Sequence, residues 1–271
     1  MDMKHLCFAA FVCLFSLVSC KPSDSECAQA LVAKAQALVE TGHWRQARIV
    51  LDSVHSVYPK EVPQRRMAKS LEDSIIYLEA QSNIAYTDTM LPPLFAQADS
   101  IMHYFRYEKN EKYEDHGQYI HRLLTTGGNT SRNFLQAYVR DDRKTVVKSY
   151  YYGSHRVHQC AITLNSDAEE LRLTGSNHSF EAEGWHEIMT LEDETALQLL
   201  NFISAHFNSR IRVNGTGDSP TKTWVYYLND KEKQALSATY HLGWIMKDIK
   251  RLEDIQQTAR KQIERYERKK Q

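Results

Sequence analysis

The chain has 271 residues, with Lys+Arg 34 balanced by Asp+Glu 34, 42% hydrophobic residues, Gly 10 and Pro 6. This composition excludes global disorder and any collagen-like or low-complexity chain. A formal net charge of zero supplies no electrostatic footprint for nucleic acid, and the length accommodates one large or two small domains.

The first residues read as an address. Lys4 gives a short positive region, and 6–17 is an apolar run ending in Leu17-Val18-Ser19-Cys20. As a helix that run spans about 18 Å, against a bilayer core of about 30 Å, so it is too short for a permanent transmembrane helix. Leu17-Val18-Ser19-Cys20 resembles the lipobox of bacterial lipoproteins. The resemblance implies removal of 1–19 as a signal peptide and lipidation of Cys20, with a palmitate-type anchor. It also implies that Lys21, where an Asp would favour the inner membrane, directs the protein to the outer membrane. More than one acyl chain anchors stably, whereas a single chain does so marginally. After cleavage Cys27 and Cys160 remain. An oxidising envelope permits a bridge, but two lone thiols are not a disulfide framework.

Residues 20–27 form a lipidated polar tether, and 28–126 a helical region. Ala28, Leu31, Ala35, Leu38 and Val39 recur at helical spacing up to Gly42, and Trp44, Ala47, Val50, Leu51 and Val54 continue to Tyr58-Pro59. The pattern from Gly42 to Pro59 resembles the second half of a tetratricopeptide repeat, in which Gly permits the interhelical turn and Pro ends the second helix. Leu31, Lys34 and Ala35 depart from the first half of that motif. One repeat cannot bury its own apolar stripe, so the hairpin must pack on another part of the chain. A helix is expected over 63–81 and another over 88–107, broken near Leu91-Pro92-Pro93. The densely charged 107–116 reads as a solvated turn or helix face, and Gly127-Gly128-Asn129 as a break.

From Asn133 the period changes to two, giving a β-rich domain over 127–229. Strands are expected over 134–140, 144–152, 160–164, 170–174, 180–191, 210–214 and 222–228, with a helix over 192–207. The fold class is therefore α+β: N-terminal helical hairpins, then a roughly seven-stranded antiparallel β sandwich or open barrel, closed by a long C-terminal helix over 230–271. Asn229 and Glu232 are spaced as a capping box for that helix. Beyond Lys247 its apolar stripe narrows to a weak coiled-coil seam. From Lys247 onward nine basic residues outnumber five acidic ones. Packing on the N-terminal helices, a partner helix, an anionic membrane surface and a solvated tail are the readings available to it.

Taken together, Leu51-Asp52-Ser53, Leu71-Glu72-Asp73-Ser74-Ile75, Ala98-Asp99-Ser100-Ile101, Glu111-Lys112-Tyr113 and Tyr226-Tyr227-Leu228 carry a diffuse likeness. The chain resembles uncharacterised envelope lipoproteins of Gram-negative anaerobic bacteria with a single tetratricopeptide-like hairpin. That likeness implies location and architecture only. Asp52-Ser53-Val54, Asp73-Ser74-Ile75, Asp88-Thr89-Met90 and Asp99-Ser100-Ile101 also resemble an O-glycosylation motif of some such proteins, although helical patterning explains them too.

No residue set reads as catalytic and no cofactor is implied. His158 and Cys160 would share a strand face as metal ligands, but zinc needs three or four. The 215–223 stretch lacks a Gly before Lys222 and reads as a hairpin turn rather than a phosphate loop. Tyr150, Tyr152, Trp185 and Trp224 could stack on a ligand or fill the sheet core. The functional expectation is an envelope lipoprotein held to the membrane at Cys20, acting without catalysis as a protein-interaction or assembly module for an envelope partner. The alternative is a glycan or lipid binder using the β-domain, and an envelope hydrolase ranks behind both.

Overall fold

A computed structural model describes residues 22–124, 131–167, 169–219 and 221–270. The signal peptide expected over 1–19, the expected lipidation position Cys20, Lys21 and the break expected at Gly127-Gly128-Asn129 lie outside the described residues. The fold is α+β, as the periodicities imply. Among the described residues no helix is long and apolar enough to cross a membrane. The chain divides into two compact units, one described over 22–81 and 262–270, the other over 82–261 with its masked positions excepted.

The first unit is helical. Helix α1 (Asp24–Glu40) opens on a capping box, in which the Ser23 hydroxyl accepts the Glu26 N–H and the Glu26 carboxylate accepts the Ser23 N–H. It ends at Thr41, and Gly42 then takes φ 77°, a left-handed turn that glycine adopts without steric cost. Helix α2 (Trp44–Val57) returns antiparallel to bury Ala47, Leu51 and Val54 against Ala28, Val32 and Ala35. The small alanines let the two backbones approach, as the repeat-like spacing requires. The start of helix α3 (Val62–Met102) adds Ala68 and Ile75 to this core. The last turns of the C-terminal helix complete the unit. Tyr266 stacks on Tyr77 with ring centroids 4.5 Å apart, and Lys269 pairs with Asp73 at 2.8 Å.

The second unit carries ten described strands in two antiparallel sheets. Strands β1 (Phe105–Glu108), β2 (Gln118–His121), β3 (Phe134–Arg140), β4 (Thr145–Gly153), β7 (Ser176–Glu181) and β8 (Trp185–Glu192) form one sheet in the order β1-β2-β3-β4-β8-β7. Strands β5 (Ala161–Ser166), β6 (Glu169–Thr174), β9 (Arg212–Thr216) and β10 (Thr223–Tyr227) form the other, ordered β10-β9-β5-β6. Neither sheet closes, in keeping with the expected antiparallel β sandwich or open barrel.

The two sheets share one core. Leu135, Ala137, Val147, Met189 and Leu191 of the first cluster with Ile162, Leu164, Leu173, Val213 and Trp224 of the second. Helix α4 (Asp193–Ala205) contributes Ala196, Leu199, Leu200 and Ile203, and helix α5 (Asp230–Lys270) contributes Ala235 and Leu236. Asn229 and Glu232 form the expected capping box, with reciprocal bonds of 2.9 and 3.0 Å.

The structure corrects the strand count. Residues 105–108 are expected at a helix end and the start of the charged 107–116 stretch, and 118–121 within the helical region 28–126, yet they pair as β1 and β2, Ile120 opposite Tyr138 extending the ladder onto β3. The expected strand over 180–191 is two strands, β7 and β8, turned at Glu183 and Gly184, both with positive φ. The two expected helices over 63–81 and 88–107 are the single helix α3, which runs through Pro92 and Pro93.

Candidate functional site

Alternation along β3 and β4 sorts the side chains between the two sheet faces. Leu135, Ala137, Val147 and Ser149 fall on one face, Phe134, Gln136, Tyr138, Lys148 and Tyr150 on the other. Register then sets neighbours. Gln136 lies opposite Lys148, and Phe134 opposite Tyr150. Gln136, Lys148 and Tyr150, with Gln118 and Ile120 of β2, 108–110 and Glu114, line an open cleft of about 420 Å³.

Lys148 is the unusual member. Its ammonium sits 5.5 Å from the centroid of the Tyr138 ring, a cation–π distance. Burial pushes its pKa below the ordinary lysine value, while Glu114 and Glu192 pull it back up through space. Among the described residues no carboxylate pairs with it. The other charges of the cleft are engaged. Glu108 bonds Arg106, Lys109 pairs with Glu111 at 3.0 Å, and Glu114 accepts the Asn110 N–H at 2.8 Å and the Gln118 amide at 3.0 Å.

The aromatic wall beside Lys148 is held flat. Tyr150 stacks on Phe134 at 4.3 Å with 6° between planes, and Arg132 caps Phe134 at 5.2 Å. The Tyr150 hydroxyl donates to Gln136 Oε1 at 3.0 Å, which leaves the Gln136 NH₂ as a donor beside Lys148. Burial raises the pKa of this phenol, so it stays a neutral donor at physiological pH.

The residues singled out from sequence separate. Tyr150 lines the cleft. Tyr152, farther along the same strand, lies beside His186, which stacks on Phe180 at 4.8 Å. Trp185 is half-buried, with the Arg156 guanidinium 5.3 Å from its ring. Trp224 is in the core, packed on Gly215, where even a Cβ would fall 2.2 Å from its indole. His158 lies in a loop at φ 57° rather than on a strand, and Cys160 points its thiol at the Thr216 and Gly217 carbonyls. Cys27 and Cys160 are both free thiols.

Among the described residues the cluster with metal-ligand spacing is a different one, His116, Asp141 and Asp142, with ligand atoms within 4.8 Å of one another. Its groups are already bonded. Asp141 accepts His116 Nδ1 at 2.9 Å, the Gly117 N–H at 2.9 Å and the Tyr107 hydroxyl at 3.1 Å, and Asp142 pairs with Arg140 at 2.7 Å. These contacts describe a clamp between the β1–β2 loop and the β3–β4 turn.

Sequence reasoning passed over Lys148 and Gln136. The signal was there: a lone Lys within Thr145-Val-Val-Lys-Ser-Tyr and a lone Gln within Phe134-Leu-Gln-Ala-Tyr are polar interruptions of otherwise sheet-forming runs. Their being paired opposites depends on register, which the linear pattern alone does not print. No protein-family model, curated protein or solved structure matches the chain, which leaves its own side-chain chemistry as the guide to what it does.

Proposed function

We propose that the chain is a non-enzymatic binding protein of the bacterial envelope, tethered by lipid at Cys20 at the outer membrane, and that the cleft around Lys148 receives a small polar ligand. The observation that carries this reading is the half-buried, unpaired Lys148 between a donor amide and a braced aromatic wall. A binding pocket gathers a few convergent polar groups on an apolar footing, and here Ile120 and Tyr150 supply that footing. The alternative position for a ligand, around Trp224, is taken up by core packing.

The test is a ligand-observed NMR screen of the mature protein against neutral and acidic saccharides, repeated with Tyr150→Ala. Binding by at least one saccharide that disappears in Tyr150→Ala supports the reading. Binding by none, or binding unchanged in the variant, rejects it. The tether has its own test: wild-type protein should partition with membranes and Cys20→Ser with the soluble envelope fraction, and equal partition would remove the anchor from the proposal.

A second reading, assembly with an envelope protein, draws support from the helical unit. Ile49 and Val57 of α2 are 61% and 62% exposed, and Val62 and Met67 of α3 are also exposed. Apolar side chains left in water on one short helical unit suit a partner surface. Cross-linking in intact envelopes through positions 49 and 57 should capture one recurrent partner; a diffuse spread of products would count against it.

A further inference from the structure

We infer that the ligand of this cleft is an acidic saccharide, its carboxylate held by Lys148 and Gln136 and its ring laid against Tyr150. The inference rests on the cleft reading given above and names the ligand class.

Within the cleft, each carboxylate is already bonded: Glu108 to Arg106, and Glu114 to the Asn110 N–H and Gln118. Lys109 is paired with Glu111. The formal charges of the lining sum to zero, Glu108 and Glu114 against Lys109 and Lys148, with Glu114 held by neutral donors; among the described residues Lys148 is the cleft cation that no carboxylate engages in an ion pair. An ammonium withdrawn from water favours an anion over a neutral guest, because a charge-assisted hydrogen bond restores what burial removed.

Geometry then selects a carboxylate. Lys148 and Gln136 face each other across the β3–β4 ladder. Gln136 Oε1 is occupied by the Tyr150 hydroxyl at 3.0 Å, so its NH₂ is the group available to a guest. An ammonium and an amide NH₂ on adjacent strands match the two oxygens of one carboxylate. Next along the ladder stands Tyr150, backed by Phe134 at 4.3 Å. A braced aromatic plane beside an anion site suits a ring that presents C–H groups. Around it, Gln118 Oε1 and the Asn110 NH₂ remain for hydroxyls. A fatty acid would find no apolar channel there, since the lining is mainly polar.

The experiment uses the full mature chain and three matched pairs: glucuronate with glucose, galacturonate with galactose, and N-acetylmuramic acid with N-acetylglucosamine. Affinities are read by NMR titration at low and at physiological salt, with Lys148→Gln and Lys148→Arg alongside. The acidic member of at least one pair should bind about tenfold tighter than its neutral partner. That preference should fall to near unity in Lys148→Gln, return in part in Lys148→Arg, and weaken with salt. Unfolding midpoints of both variants confirm that each is folded. Equal binding of acid and neutral members, abolished by Tyr150→Ala, overturns the acidic ligand and leaves the cleft reading standing. No binding by any of the six sugars overturns both.

Discussion

Glu187 of β8, wholly buried, accepts the main-chain N–H of Gln159 at 2.5 Å, and the same carboxylate takes the N–H groups of Val157 and His158 at 2.6 and 2.7 Å. Asn177 adds a fourth donor at 2.9 Å. A buried carboxylate is tolerated when its lone pairs are filled. Here three successive amides, with His158 bent into positive φ, form a concave anion seat that pins the 154–160 loop to the sheet.

Glu187→Gln is therefore expected to destabilise the protein by about 2–4 kcal/mol, because an amide NH₂ would meet main-chain donors where an oxygen now accepts. Chemical denaturation reads this as a lower midpoint at unchanged m-value. The pH dependence has a definite sign. Burial pushes the Glu187 pKa up, but the bonds from Gln159, Asn177, His158 and Val157 outweigh it and the pKa falls below its ordinary value. A depressed carboxylate contributes stability in full above its unfolded pKa, near 4.3, and loses it as pH falls through the folded value. Wild type should thus lose stability below about pH 4 more steeply than Glu187→Gln; equal acid slopes would remove the charge from this account.

Lys148 works the other way. Folding lowers its pKa through burial, so the charged form carries a penalty that is complete below the folded pKa and disappears as pH rises through the unfolded value, near 10.4. Lys148→Met should raise stability at pH 7, by up to about 1 kcal/mol, while removing the preference for the acidic sugar. The gain over wild type should shrink as pH rises toward and through the unfolded value. A destabilised Lys148→Met would mean that the ammonium is supported by its surroundings rather than held in reserve for a guest.

How far these sites were legible depended on whether their signal was local. The α1–α2 hairpin, the Asn229–Glu232 cap and the β3–β4 and β9–β10 hairpins follow from spacing alone, because a cap, a tight turn and a period are written within a few residues. β1 and β2 were not legible. Phe105-Arg-Tyr-Glu and Gln118-Tyr-Ile-His are four-residue strands flanked by charges, and they become strands only because β3 offers an edge for β2 to pair with. Pro92 and Pro93 misled in the opposite sense, since α3 continues past both. The cleft was half visible: Tyr150 stood out by type, but Lys148 and Gln136 matter through a cross-strand pairing that only register creates.

Asp141 ties the β1–β2 loop to the β3–β4 turn. Its carboxylate gathers the Gly117 N–H, the Tyr107 hydroxyl and His116. The Gly117 N–H bond is the main cause that holds its pKa below the usual aspartate range. A Cβ at Gly117 would fall 2.0 Å from the Tyr107 oxygen, so a side chain there would have to displace that ring from its bond to Asp141. Asp141→Ala is expected to cost about 1 kcal/mol in global stability, the site being partly exposed. Its larger effect should be local: amide hydrogen exchange over 109–117 should accelerate while exchange in β4 and β8 stays unchanged. Because that loop carries Glu114 and Asn110 to the cleft, saccharide affinity should fall without any change at Lys148 itself.

Gly243 sits inside α5, where alanine is normally favoured by about 1 kcal/mol. Its surroundings reverse that preference. A Cβ there would lie 2.4 Å from Thr145 Oγ1, 3.2 Å from Leu197 Cδ2 and 3.3 Å from Thr145 Cγ2. Thr145 is buried at the start of β4 and Leu197 is buried on α4, so the helix, the sheet and α4 meet at a point with no room for a methyl group. Gly243→Ala should destabilise by about 1–3 kcal/mol through overpacking. Thr145→Ala removes the closest obstacle and the Cγ2 at 3.3 Å, and in the double variant Gly243→Ala should cost less than it does alone, a coupling of about 1 kcal/mol or more in a double-mutant cycle. Additive costs would show that the strain lies with Leu197 instead, and Leu197→Ala in the same cycle would then carry the coupling.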